Sequence, residues 1–86
     1  MPKSVTVYTT EYCAYCTRAK SLLKQKEIAF KEIDVTHDAG TREKLEEKTG
    51  WMTVPMIFIG EEFIGGFDDL SALEKSGKLN SKISQA

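Results

Sequence analysis

Cys13-Ala14-Tyr15-Cys16 constrains the fold of this chain more than any other stretch. It follows the β-rich run Val5-Thr6-Val7-Tyr8 and opens Thr17-Arg18-Ala19-Lys20-Ser21-Leu22-Leu23-Lys24, so it reads as a strand, a turn and a helix start. Cys13 then caps the helix and Cys16 lies one turn inside, with both sulfurs on one face. Residues three apart in a helix have Cβ atoms about 5–6 Å apart, whereas a disulfide needs about 3.5–4.5 Å. A non-helical cap position closes that gap, and any remaining strain makes the bond easy to reduce.

The same helix start supplies free backbone N–H groups and the positive end of the helix dipole. These favour the thiolate at Cys13, which is expected to be the nucleophile, while Cys16, deeper in the helix, is expected to hold its proton and act as the resolving thiol. A zinc site is a poor alternative, because zinc usually needs four ligands and only His37 and scattered carboxylates remain. Two cysteines in so charged a chain do not make a disulfide scaffold either.

With 86 residues, 41% hydrophobic and 29% charged, the chain is expected to form one domain spanning 1–86. The net charge of -1, with lysines interleaved among glutamates, gives no nucleic-acid or membrane footprint. Met1-Pro2-Lys3-Ser4 lacks the apolar core of a signal peptide and no apolar run reaches membrane-spanning length, so a cytoplasmic location is expected. A reducing compartment also suits a cysteine pair that must be reduced after each turnover.

Val5 to Tyr8 predicts a strand with Val5 and Val7 on one face, and Cys13 to Lys26 a helix with Cys16, Ala19, Leu22 and Leu23 as its apolar stripe. Ala29 to Val35 predicts a second strand joined by a parallel crossover. Thr36 to Gly40 reads as a loop, Thr41 to Thr49 as a charged surface helix ended by Gly50, and Met56 to Ile59 and Glu62 to Ile64 as a hairpin turned at Gly60-Glu61. Phe67 to Lys75 predicts the closing helix, stopped at Gly77, and Leu79 to Ala86 a short helical or frayed tail. The order is β-α-β-α-β-β-α around a four-stranded mixed sheet flanked by helices. A C-x-x-C at its first strand-to-helix junction reads as a thioredoxin-like redox motif in an α/β fold.

Tyr8-Thr9, Cys13-Ala14-Tyr15-Cys16, Thr53-Val54-Pro55 and Gly65-Gly66-Phe67-Asp68-Asp69-Leu70 together resemble the glutaredoxins, in the family's order and over essentially the full chain. Within that family the chain resembles the small bacterial dithiol glutaredoxins of the glutaredoxin 3 type. The resemblance implies a glutathione-dependent thiol-disulfide oxidoreductase, with glutathione as co-substrate and glutathionylated or disulfide-containing proteins as partners. It implies that Thr53-Val54-Pro55 is a cis-proline loop whose Val54 backbone pairs with glutathione. Pro55 is then the cis residue, the only other proline being Pro2. Gly66, Asp68 and Asp69 are implied to hold the γ-glutamyl end of glutathione, Arg42 its glycyl carboxylate, and Tyr15 the wall beside the cysteines. Trp51-Met52 either lines this groove or anchors the loop.

Three departures stand out. Ala14 replaces the family's usual proline, Thr10 stands where many members carry lysine, and Phe67 where relatives often carry a further cysteine. Losing the lysine reduces the electrostatic help given to Cys13 and supports a rival reading, in which thioredoxin reductase rather than glutathione recharges the protein. Losing the proline admits another, in which Cys13 and glutathione hold a [2Fe–2S] cluster between two subunits. Otherwise no metal and a monomer are expected.

Overall fold

The computed structural model describes residues 3–84. Pro2 and the end of the predicted C-terminal tail lie outside the described residues. The elements are β1 (Val5–Thr9), α1 (Ala14–Gln25), β2 (Phe30–Asp34), α2 (Ala39–Thr49), β3 (Met56–Ile59), β4 (Glu62–Gly65), α3 (Phe67–Lys75) and α4 (Lys78–Ser84). The sheet runs β2-β1-β3-β4, with β1 and β2 parallel and the other pairs antiparallel. The elements follow one another along the chain as predicted, with the tail formed as a helix from Lys78.

Two cores lie on opposite faces of the sheet. Val5, Val7, Ile57 and Ile59 pack with Ala19, Leu23, Leu70 and Leu79 on one face, under α1, α3 and α4. Met56 and Phe58 pack with Leu45 of α2 on the other, backed by Tyr8, Trp51 and Phe63. β3 is therefore buried on both faces, and its continuous apolar sequence follows from that. A fully buried leucine contributes roughly 1.5–3 kcal/mol. α1 is anchored by Cys16, Ala19 and Leu23, whereas α2 buries Leu45 alone. The helix carrying the cysteines is thus the firmly held one.

Three boundaries differ from expectation for local reasons. α2 begins at Ala39 rather than Thr41, because the Asp38 carboxylate accepts from the Thr41 N–H at 3.1 Å and its hydroxyl at 2.7 Å, and so draws Gly40 into the first turn. β2 is shorter than predicted, and Lys31, Glu32 and Asp34 are exposed, as an edge strand allows. α1 stops where Glu27 takes a left-handed φ of 57°, with the Ile28 N–H donating to the Leu23 carbonyl at 2.9 Å.

Candidate functional site

Cys13 is the N-cap of α1, with extended backbone at φ -136° and ψ 104°. Its sulfur accepts the Cys16 N–H at 3.1 Å, and its own thiol lies 3.7 Å from the Val54 carbonyl. The strand-to-helix junction thereby places one sulfur on unpaired helix amides, where negative charge is favoured. Both cysteines are free thiols. Cys13 is half-buried and Cys16 is 1% exposed.

Burial, first, and the neighbouring Cys13 push the Cys16 thiol up to about 12, from an ordinary value of 9.0. The sign has a consequence for the reduced protein. Above pH 9 the unfolded chain releases this proton and the folded one keeps it, so stability falls as pH rises toward 12, by up to about 1.4 kcal/mol per pH unit. Below pH 9 both states are protonated and the difference vanishes. Urea unfolding under reductant at pH 8 and pH 10 is expected to show a smaller alkaline loss in Cys16→Ala than in the parent. Equal losses would show that the buried thiol does not cause it.

Beside the cysteines lies a cleft of about 400 Å³ lined by Tyr15, Trp51, Thr53, Val54, Pro55, Gly66, Phe67, Asp68 and Asp69. The Val54–Pro55 bond is cis. Thr53, Val54 and Pro55 form one lip, and Gly66 to Asp69, at the start of α3, form the other. The β3–β4 register shifts between Ile57 and Phe58, so that Ile57 faces Gly65 and Phe58 faces Phe63. That bulge turns the chain at Gly65 toward α3. Asp69 reaches back to accept the Gly66 N–H at 3.1 Å, which fixes the helix start.

Of the residues singled out in the sequence, Tyr15, Thr53, Val54, Pro55, Gly66, Asp68 and Asp69 meet around this cleft, with Cys13 at its edge through Val54. Arg42 stands in the first turn of α2 and does not line it. His37 is exposed in the loop after β2. Trp51 resolves the alternative left open for it by doing both: it lines the cleft and packs edge-on against Phe63 at 5.7 Å between ring centroids. Met52 is 67% exposed. Sequence reasoning gave Phe67 no part in the groove. It forms part of the cleft wall, 6.3 Å from the Tyr15 ring, which in turn carries the Arg18 guanidinium at 5.3 Å. The i, i+3 spacing of Tyr15 and Arg18 signals that stacked pair, whereas no local spacing signals Phe67 of α3.

The glutaredoxin family model matches residues 5–64. The chain belongs to the glutaredoxin family. A glutaredoxin of Pseudomonas aeruginosa is 49% identical over 80 residues, spanning 93% of this chain and 95% of that protein. Glutaredoxin 3 of Escherichia coli K12 is 46% identical over 77 residues, spanning 90% and 93%. A crystal structure of a buckwheat glutaredoxin–glutathione complex superposes with a TM-score of 0.90 at 30% identity, covering 95% of this chain and 77% of that one. As a glutaredoxin with a thioredoxin-like fold, the chain is a glutathione-dependent thiol-disulfide oxidoreductase working through a pair of cysteines. Among the described residues no helix is long and apolar enough to cross a membrane.

Proposed function

We propose that the 1–86 chain is a single glutaredoxin domain in which Cys13 attacks and Cys16 resolves. The observation that carries this reading is the position of the Cys13 sulfur: on the first amides of α1, at the Val54 lip of a peptide-sized cleft. The Cys13 thiolate attacks a glutathionyl mixed disulfide, expels the protein thiolate and becomes glutathionylated. A second glutathione thiolate then attacks the bound glutathionyl sulfur, releases Cys13 and leaves as oxidised glutathione. With a protein disulfide, Cys16 instead attacks Cys13, expels the reduced substrate and leaves Cys13–Cys16 oxidised.

Glutathione is proposed to lie along the cleft, its backbone paired with Val54 between Thr53 and Pro55 and its γ-glutamyl end on the amides of Gly66, Asp68 and Asp69. Tyr15 forms the wall beside its sulfur. Arg42, outside the cleft lining, serves the glycyl carboxylate only if its long side chain swings in from α2. Glutathionylated and disulfide-bearing cytoplasmic proteins are the proposed substrates, met by a monomer.

Cys16 is buried, so among the described residues Cys13 alone presents a thiol, and a [2Fe–2S] cluster would have to be held by Cys13 and glutathione from each of two subunits; no step is assigned to one. The recycling partner is tested by NADPH consumption. Turnover is expected with glutathione and glutathione reductase, and little with thioredoxin reductase alone. In amide NMR spectra, glutathione is expected to shift Val54 and Asp69. Turnover with thioredoxin reductase alone and unmoved amides would replace this reading with the rival one.

A further inference from the structure

Dithiol chemistry sets Cys16 a difficulty that the cleft does not address. To resolve a mixed disulfide it must lose its proton to solvent, attack the Cys13 sulfur, form the Cys13–Cys16 bond and expel the substrate sulfur as a thiolate. Two electrons pass from the cysteine pair to that sulfur. Yet Cys16 is 1% exposed, and burial opposes charge on it.

A polar cluster joins β1, β2 and α1, outside the lining of the glutathione cleft. Thr9, at the end of β1, is 1% exposed and the sole buried polar residue among those described. Its hydroxyl donates to Glu32 Oε2 on β2 at 2.8 Å, and the same oxygen accepts Lys20 Nζ of α1 at 3.0 Å. Lys20 is four residues after Cys16, on the same face of α1, a spacing that brings Cβ atoms to about 5–6 Å. Its ammonium is therefore steered across the helix-to-sheet seam by an anchored carboxylate instead of wandering into solvent.

We propose that Lys20, held by the Glu32–Thr9 pair, is a positioning residue for the resolving step, stabilising negative charge as it develops on the Cys16 sulfur. Groups acting on that sulfur are consistent with the assignment. Burial opposes its charge most and Cys13, across the turn, opposes it next; the Thr10 backbone amide and, least of these, the Lys20 ammonium favour it. From β2, Glu32 offsets part of the Lys20 charge, and Asp34, itself near His37, lies within its field. The net help is therefore moderate, and it is tuned by the carboxylate. The cluster serves the dithiol route alone, because the monothiol route never charges Cys16.

This inference rests on Cys16 being the resolving thiol, and the test separates the two. Reduction of insulin disulfides and deglutathionylation of glutathionylated albumin are measured side by side in the parent, Cys16→Ser, Lys20→Gln, Lys20→Arg and Glu32→Gln. Lys20→Gln is expected to lower the ratio of disulfide reduction to deglutathionylation by roughly 3- to 10-fold. Lys20→Arg restores it. Glu32→Gln removes the charge that holds the ammonium in place, so the ratio falls as well, by less than in Lys20→Gln. A purely structural cluster would leave the ratio unmoved in both variants, or would lower it as much in Lys20→Arg as in Lys20→Gln, and either result overturns the proposal. If Cys16→Ser reduces insulin as fast as the parent, the resolving assignment itself fails and the proposal with it.

Discussion

Cys13→Ser is expected to abolish both deglutathionylation and protein-disulfide reduction, by more than about 1,000-fold in each, while leaving the protein as stable as before. The hydroxyl that replaces the thiol does not ionise near neutral pH and cannot exchange with a disulfide. It is, however, a good helix cap. Serine at this position still accepts the Cys16 N–H now taken by sulfur at 3.1 Å, so the start of α1 survives. Loss of activity with an unchanged urea midpoint therefore isolates chemistry from folding. Cys16→Ser is expected to keep deglutathionylation and lose disulfide reduction. Should both variants lose deglutathionylation equally, the roles given to the two sulfurs are wrong.

Gly65→Ala is expected to cost about 2–4 kcal/mol of stability and to raise the KM for glutathione roughly 10-fold. Gly65 has a φ of +121°, a region that side chains other than glycine's rarely enter. An added Cβ would also lie 2.7 Å from Asp69 Cγ and overlap its Oδ2. That carboxylate holds the Gly66 N–H at 3.1 Å, so pushing it aside uncaps α3 and removes one lip of the cleft together. The adjacent Gly66 gives the internal comparison. Its φ of -99° suits any residue, and an added Cβ meets Trp51 Cζ2 at 3.4 Å and the Pro55 carbonyl at 3.6 Å. Gly66→Ala should act as a mild wedge, costing far less stability. Denaturation midpoints that ranked the two variants alike would remove the special status given to Gly65.

Much of the site was legible because its parts are local. Cys13 and Cys16 share one helix start, Thr53-Val54-Pro55 one lip and Gly66-Phe67-Asp68-Asp69 the other, so short patterns announced each piece. Strand alternation in β1 likewise predicted which face each of its residues covers, whereas the all-apolar β3 carried no such signal. The start of α2 was missed because Asp38 caps it from inside a stretch rich in loop formers. The wall formed by Phe67 was missed because a position known for an absent cysteine drew attention to what was lost, not to the ring that filled the space.

From residue types and spacing came the reactive pair and the order of strands and helices, since each depends on contacts within a few residues of chain, and from the resemblance to the glutaredoxins came the segments that flank the groove. Only the folded molecule decided that the two lips face each other across one cleft, that Arg42 stands outside its lining, and that Thr9, Lys20 and Glu32 share a hydrogen-bonded cluster. Thr9 and Glu32 are 23 positions apart, and nothing in either neighbourhood marks the other. They meet because β1 and β2 pair in parallel, with Thr9 at the end of its strand beside Asp34, while α1 crosses over that seam carrying Lys20. Register and helix placement are properties of packing, and a buried hydroxyl finds its carboxylate only once both are set.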